Sequence, residues 1–283
     1  MKNVKDCMTL NNGIKIPCVG FGTYQTPDGE VAIASVLEAI QCGYRHIDTA
    51  AIYGNEESIG LAIKQCDVPR ENLFITSKVW NTEHGYEKTL NAFNDTMTRL
   101  DLEYLDLYLI HWPVPIAFKD NWEEANAGTW KAMEELYRAG KIKAIGVSNF
   151  KPHHIKALMK TATIKPMVNQ IELHPGELQE DKVAYCKDND ILLEAYTPLG
   201  RGKLATVPVM QELEKKYNKS FAQICIRWCL QHGFVPLPKS VTPSRIKQNT
   251  QVFDFTISEE DMRKIDGITY ENCKGKDTDN IRF

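Results

Sequence analysis

Leu73-Phe74-Ile75-Thr76-Ser77-Lys78, a helical pattern over 86–100, and then Tyr104-Leu105-Asp106-Leu107-Tyr108-Leu109-Ile110-His111-Trp112 form one strand–helix–strand unit. The outer runs are short and apolar, while the middle one repeats its apolar positions at helical spacing. The same alternation extends in both directions. Strand-like runs occupy 18–24, 45–49, 73–78, 104–112, 143–148, 167–173, 191–196 and 234–240. Helical patterns fill 28–41, 55–65, 86–100, 127–138, 151–160, 177–189 and 207–232, the last broken near Asn218, and an eighth follows at 243–250. Eight strands each followed by a helix match a (β/α)8 barrel, with a doubly wound open sheet as the alternative. The 283 residues suit one domain, 1–283, because no Pro/Gly-rich linker or composition break divides them. Before the first strand, Asn11-Asn12-Gly13 supplies the turn of a β-hairpin, which is expected to close the N-terminal end of the barrel.

Bulk composition excludes several classes of partner. Hydrophobic residues make up 43% and charged residues 25%, enough for a substantial core. A net charge of −3 gives no global attraction to nucleic acid or to an anionic membrane. Residues 1–7 lack an apolar stretch, so no signal peptide is expected, and no apolar run is long enough to span a bilayer. The expectation is a cytoplasmic protein. Eight cysteines, at 7, 18, 42, 66, 186, 225, 229 and 273, include no Cys-x-x-Cys pair. They read as buried reduced thiols, with no metal site.

Four residues close to strand ends suit proton transfer to a substrate oxygen: Asp48, Tyr53, Lys78 and His111. In a strand, alternate residues share a face, so Lys78 and His111 can both point into the lumen at its C-terminal end. A free tyrosine has a pKa near ~10 and is a poor acid at neutral pH. A neighbouring ammonium stabilises the phenolate and lowers that value, and a carboxylate keeps the ammonium charged. The imidazole would then orient a carbonyl. On these residues alone a bland reading stays open: Asp48 and Lys78 as a structural ion pair, Tyr53 as packing, His111 as a satisfied strand-end histidine.

The flanking residues go further. Gly43-Tyr44-Arg45-His46-Ile47-Asp48-Thr49-Ala50 with Tyr53-Gly54-Asn55-Glu56, then Asp106-Leu107-Tyr108-Leu109-Ile110-His111-Trp112-Pro113, Ile145-Gly146-Val147-Ser148-Asn149-Phe150 and Pro238-Lys239-Ser240 closely resemble the motifs of the aldo-keto reductases. The similarity runs in order through residues 10–267 and is nearest the small bacterial-type, prostaglandin F synthase-like branch. The resemblance implies a (β/α)8 barrel and NAD(P)H-dependent interconversion of carbonyls and alcohols, without metal or flavin. It makes Tyr53 the proton donor, Lys78 and Asp48 the groups that tune it, and His111 the residue that orients the carbonyl. It also implies that Ser148, Asn149 and Gln170 bind the nicotinamide carboxamide and that Tyr196 stacks on its ring. Many bacterial-type members carry Trp at the Tyr196 position. Gly22, Thr23 and Asp48 would line the ribose and nicotinamide side, and Thr197, Leu199 and Gly200 the pyrophosphate loop.

The choice of NADPH rests on Lys239-Ser240-Val241-Thr242-Pro243-Ser244-Arg245. Thr242 suits an N-cap and Pro243 the first helical turn, so backbone amides join Lys239, Ser240 and Arg245 in an anion site. No acidic residue lies between Pro236 and Gln251 to bind a free ribose hydroxyl or repel a phosphate. The resemblance adds Gln248 and Asn249 as adenine contacts. Gly20-Phe21-Gly22 lacks the third glycine of a dinucleotide fingerprint and carries no weight.

Tyr24, Trp80 and Trp112 follow the first, third and fourth strands and are expected to form an apolar funnel for small carbonyl substrates. The segments 113–127 and 268–283 lack clear periodicity and would frame that funnel as loops; the second predicts little in detail. His153 and His154 read as surface residues. A Schiff-base lyase on Lys78 and a catalytically silent cofactor-binding regulator are the competing functions. The resemblance implies a monomer.

Overall fold

The computed structural model describes residues 1–270 and 273–283, so Glu271 and Asn272 of the tail 268–283 lie outside the described residues. The chain opens with an antiparallel hairpin, β1 (Cys7–Thr9) and β2 (Lys15–Pro17), turning at Gly13 with φ +87°. The barrel strands are β3 (Gly20–Gly22), β4 (His46–Asp48), β5 (Phe74–Val79), β6 (Leu107–Ile110), β7 (Ile145–Ser148), β8 (Val168–Glu172), β9 (Leu192–Tyr196) and β10 (Val235–Leu237). Each pairs in parallel with the next in sequence. Between and after them lie α1 (Glu30–Gln41), α2 (Glu56–Gln65), α3 (Tyr86–Leu100), α4 (Trp122–Arg138), α5 (Pro152–Leu158), α6 (Glu180–Asp188), α7 (Pro208–Tyr217), α8 (Phe221–Gln231), α9 (Pro243–Gln248) and α10 (Glu259–Asp266).

The seam decides between barrel and open sheet. The Gly22 N–H donates to the Pro238 carbonyl at 3.1 Å, joining the first barrel strand to the end of the last. Gly20 permits that approach, because a Cβ there would lie 2.4 Å from Leu237 Cδ2 and 2.6 Å from His46 Nδ1. The fold is a (β/α)8 barrel. Its N-terminal end is closed by the hairpin: Asn11 Nδ2 donates to the carbonyls of Pro166 and Asp190, and Asn12 Nδ2 to that of Lys143. These carbonyls lie just before β8, β9 and β7, so the tip staples three strand entrances together.

Several elements are shorter than expected at their ends, and two differ more deeply. Helix α4 starts at Trp122, earlier than 127, which shortens the preceding loop. Its first turns carry Glu123, Glu124 and Gly128, which hide the apolar period; a Cβ on Gly128 would come within 3.1 Å of the Tyr86 nitrogen at the start of α3. Helix α10 was not anticipated, since its buried residues are only Asp261 and Ile265, although Ser258 caps it by accepting from the Asp261 N–H at 3.2 Å. The break near Asn218 is present, with Asn218 in the left-handed region at φ +51° between α7 and α8.

Two readings of exposure need correction. His153 is exposed, but His154 is buried against Trp122 and Phe150, its Nδ1 accepting the Lys151 N–H at 3.0 Å. A two-residue repeat in polar surroundings cannot show which histidine turns inward. All eight cysteines are free thiols, but only Cys18, Cys186, Cys225 and Cys229 are buried; Cys7 is exposed and the others are half-buried. Among the described residues, no helix is long and apolar enough to cross a membrane.

Candidate active site

The C-terminal ends of the strands bring the expected residues together. Asp48 is the last residue of β4, Lys78 is one residue from the end of β5, His111 follows β6, and Tyr53 ends a short 3-10 turn, Ala51–Tyr53. Lys78, with 0% exposure, donates to both carboxylate oxygens of Asp48 at 2.8 Å, to the Thr49 carbonyl at 2.9 Å and to the Tyr53 hydroxyl at 3.4 Å. The His111 ring lies 5.9 Å from that of Tyr53 and 5.1 Å from that of Trp80. The bland reading thus holds in one respect: Asp48 and Lys78 are a buried ion pair. The Tyr53 hydroxyl, though, sits directly on that pair.

Electrostatics correct one expectation. Burial pushes the Tyr53 phenol up to about 12, against the opposing pull of Lys78. Lys78 lowers the phenol as anticipated, but desolvation outweighs it, so the group is a protonated donor at neutral pH. For Lys78 burial favours the neutral amine, yet Asp48, Tyr53 and Glu194 raise its pKa above the ordinary lysine value. Burial, followed by Lys78 and His84, drives His111 well below the usual histidine range, leaving a neutral imidazole. Its Nδ1 is buried with no hydrogen-bond partner among the described residues.

The neighbouring strand ends continue the network. Gln170 on β8 donates from Nε2 to Asp48 Oδ2 at 2.8 Å and to Glu194 Oε2 at 2.9 Å. Ser148 Oγ donates to the Gln170 carbonyl at 2.8 Å, and Asn149 Nδ2 to the His111 carbonyl at 3.0 Å. Tyr196 donates its hydroxyl proton to Asn149 Oδ1 at 2.7 Å. Asn149 and Thr197 hold positive φ, +67° and +54°, just after β7 and β9. Thr23 Oγ1 donates to the Asp48 carbonyl at 2.9 Å, and a Cβ on Gly22 would meet the Leu237 carbonyl oxygen at 3.1 Å. Leu199 and Gly200 begin the 3-10 segment Gly200–Thr206, which is kinked at Arg201 and Gly202.

The basic segment stands apart from the tetrad, beyond β10. Thr242, Ser244, Arg245 and Val241 are exposed, Lys239, Ser240 and Gln248 half-buried, and Asn249 buried. Lys239 Nζ donates to the Gln25 carbonyl at 3.0 Å, linking the segment to the loop after β3. Thr242 holds the N-cap position but makes no side-chain cap bond; instead its N–H donates to Ser240 Oγ at 3.1 Å. With α9 only six residues long, the anion site expected here would draw on Lys239, Ser240 and Arg245 more than on helix amides.

Three residues escaped the sequence reading. Glu194, 0% exposed, lies beside Asp48 across Gln170; burial and then Asp48 push its carboxyl up to about 8. Phe283 stacks on Trp80 at 5.9 Å and 5° and sets its edge on Trp112 at 5.2 Å, so the tail brings an aromatic against two of the rings expected to form the funnel. Its backbone oxygen accepts from Asn81 Nδ2 at 3.1 Å and from the Ile116 N–H at 3.4 Å. Asp279 anchors the same tail, contacting Lys151 at 2.5 Å, His153 at 3.0 Å and His154 at 2.7 Å. His153, His154 and Asp279 are close enough to suggest a metal. His154 Nδ1 already accepts a backbone N–H, which puts its proton on Nε2, and the Lys151 ammonium occupies the carboxylate. This group is a salt-bridged anchor. Of the aromatics expected to form the funnel, Trp80 and Trp112 flank His111, while Tyr24 packs on Tyr53 at 5.1 Å and is otherwise exposed.

A closed barrel gathers a carboxylate–ammonium pair, a phenol and a neutral imidazole at its C-terminal mouth, the place where barrel enzymes carry their chemistry. Comparison with known proteins makes the class specific: the model of the Aldo/keto reductase family matches residues 18–269, and the chain belongs to that family. It is 50% identical over 281 residues to the glyoxal reductase of Bacillus subtilis, covering 99% of each chain. Among solved structures, an aldo-keto reductase from a Medee basin deep-sea metagenome library superimposes with a TM-score of 0.91 at 46% identity, covering 98% of this chain and 100% of that one. The Bombyx mori aldo-keto reductase in complex with NADP gives 0.84 at 37% identity, covering 92% and 91%. The chain is therefore an oxidoreductase of the carbonyl-reducing kind.

Proposed function

We propose that this protein is an NADPH-dependent reductase of aldehydes and ketones, a single barrel unit that works as a cytoplasmic monomer. The observation that carries the reading is the Lys78 ammonium held between the Asp48 carboxylate and the Tyr53 hydroxyl. Tyr53 is protonated at neutral pH and donates its proton to the carbonyl oxygen as that oxygen gains charge. Lys78 stabilises the phenolate left behind, and Asp48 keeps Lys78 charged. Neutral His111 donates one N–H to the same oxygen and sets its position. In the reverse direction the phenolate takes the alcohol proton.

The residues present fit a dinucleotide phosphate. Lys239, Ser240 and Arg245 lie on one segment with no acidic residue between 236 and 251, and Ser148, Asn149 and Tyr196 are hydrogen-bonded to one another beside Gln170, which bonds Asp48. NADPH, when bound there, supplies the hydride. Thr197, Leu199, Gly200, Gln248 and Asn249 would complete its site. The NADP complex of the Bombyx relative supports the choice of cofactor, and the glyoxal reductase relative supports small carbonyls as substrates.

The test is loss of NADPH absorbance with a panel of ketoaldehydes, diketones, quinones and aliphatic or aromatic aldehydes. Tight NADPH binding with no carbonyl-dependent oxidation would favour the silent regulator instead. A Schiff-base lyase is opposed by the ion pair, because an amine held as ammonium by Asp48 is not a nucleophile.

Two substitutions probe the edges of the site. Arg245→Ala should weaken NADPH binding by roughly 10–100-fold, the scale of a lost charge-assisted hydrogen bond, and leave NADH binding nearly unchanged. An equal loss for both cofactors, measured by fluorescence titration, would remove Arg245 from the phosphate site. Phe283→Ala uncovers Trp80 and Trp112, so KM for bulky aromatic aldehydes should rise about 3–10-fold, in line with one lost aromatic contact. Small ketoaldehydes should be unaffected, and identical KM changes for both substrate sizes would rule out a wall role for Phe283.

A further inference from the structure

Gln170 is the point where two carboxyl groups meet. Residue for residue it pairs with Glu194 across the β8–β9 register, and its Nε2 hydrogens go to Glu194 Oε2 at 2.9 Å and Asp48 Oδ2 at 2.8 Å. An amide nitrogen has two hydrogens, so both are committed, and Oε1 is the acceptor left without a partner among the described residues. Turning the amide over would set Oε1 against two carboxyl oxygens, one of which also accepts from Lys78 at 2.8 Å. Asp48 has a second task as partner of Lys78. Glu194 has none: it is fully buried, its Oε1 has no hydrogen-bond partner among the described residues, and the His46 Nε2 lies 3.6 Å from that oxygen. His46 itself is held neutral by burial and by Lys78, its pKa drawn down to about 3. An apolar side chain would fill that volume without the desolvation cost of a carboxyl group.

We propose that Glu194 is a positioning residue that locks the Gln170 amide in one orientation, leaving Gln170 Oε1 to accept an N–H from the carboxamide of the nicotinamide ring. The inference rests on the NADPH reading above. The elevated Glu194 pKa is compatible with it, because a protonated carboxyl still accepts through Oε2 and adds no second negative charge beside Asp48.

The experiment compares dissociation constants for NADPH and for its acetylpyridine analogue, whose acetyl group has no N–H, by quenching of tryptophan fluorescence. Glu194→Met and Glu194→Val remove the acceptor and should weaken NADPH binding about 5–10-fold, the scale of one hydrogen bond, with the analogue within about twofold of wild type. Glu194→Gln should restore NADPH affinity, because its amide oxygen can accept from Gln170. Unchanged NADPH affinity in an apolar variant, an equal loss for both cofactors, or no rescue by Gln would each overturn the proposal. So would failure of both apolar variants to fold while Glu194→Gln folds, which would make Glu194 a stability residue. Absence of NADPH binding by the wild type would overturn the cofactor reading and this proposal together; binding by the wild type with unaffected variants overturns this proposal alone.

Discussion

Tyr53→Phe is expected to lower kcat for carbonyl reduction by roughly 10²–10⁴-fold, the range of general acid catalysis, and to leave NADPH affinity within about twofold. The substitution keeps the ring that packs 5.1 Å from Tyr24 and 5.9 Å from His111 and removes only the hydroxyl. Lys78 loses a partner at 3.4 Å but retains Asp48 and the Thr49 carbonyl, so the fold should melt as the wild type does. The pH dependence has a definite sign. With the phenol raised to about 12, the acid form persists through neutral pH, and reduction should be nearly flat there. Alcohol oxidation needs the phenolate and should climb over the same range. Stopped-flow turnover in both directions provides the check; a Phe variant that turns over like the wild type would remove Tyr53 from the mechanism.

Lys78→Met is expected to abolish turnover to a similar degree and also to destabilise the protein by about 3–5 kcal/mol, because it strands a buried carboxylate without its counter-charge. Both partners are nearly inaccessible, Lys78 at 0% and Asp48 at 3%, so water cannot take over the lost contact. Urea unfolding at neutral pH measures this directly. Asp48→Asn combined with Lys78→Met should recover most of the stability and none of the activity. A Lys78→Met protein as stable as the wild type at neutral pH would show that the pair contributes nothing to the fold.

Much of this site was legible in the chain because strands expose their chemistry at fixed positions. Asp48, Lys78 and His111 each stand at or near the end of a strand-like run, where a parallel barrel presents side chains to its mouth. Helix α3 matched its expected bounds because its apolar positions recur without interruption. Glu194 was not legible. It is one acid among many in the sequence, and only the β8–β9 register sets it opposite Gln170. Phe283 was hidden for a similar reason: nothing in the aperiodic tail says that its ring reaches Trp80.

The alternation of apolar periods, 2.0 in strands and 3.6 in helices, was enough to define the barrel strands, their order and the strand ends that carry acid–base groups, because those periods follow from backbone geometry alone. Closure of the barrel, the inward turn of His154, the stacking of Phe283 on Trp80 and the sign of the Tyr53 shift came from contacts between segments far apart in the chain. Burial is a property of those contacts. A phenol beside an ammonium reads as an acidified tyrosine on paper, but inside the barrel the removal of water outweighs the ammonium and keeps the proton in place.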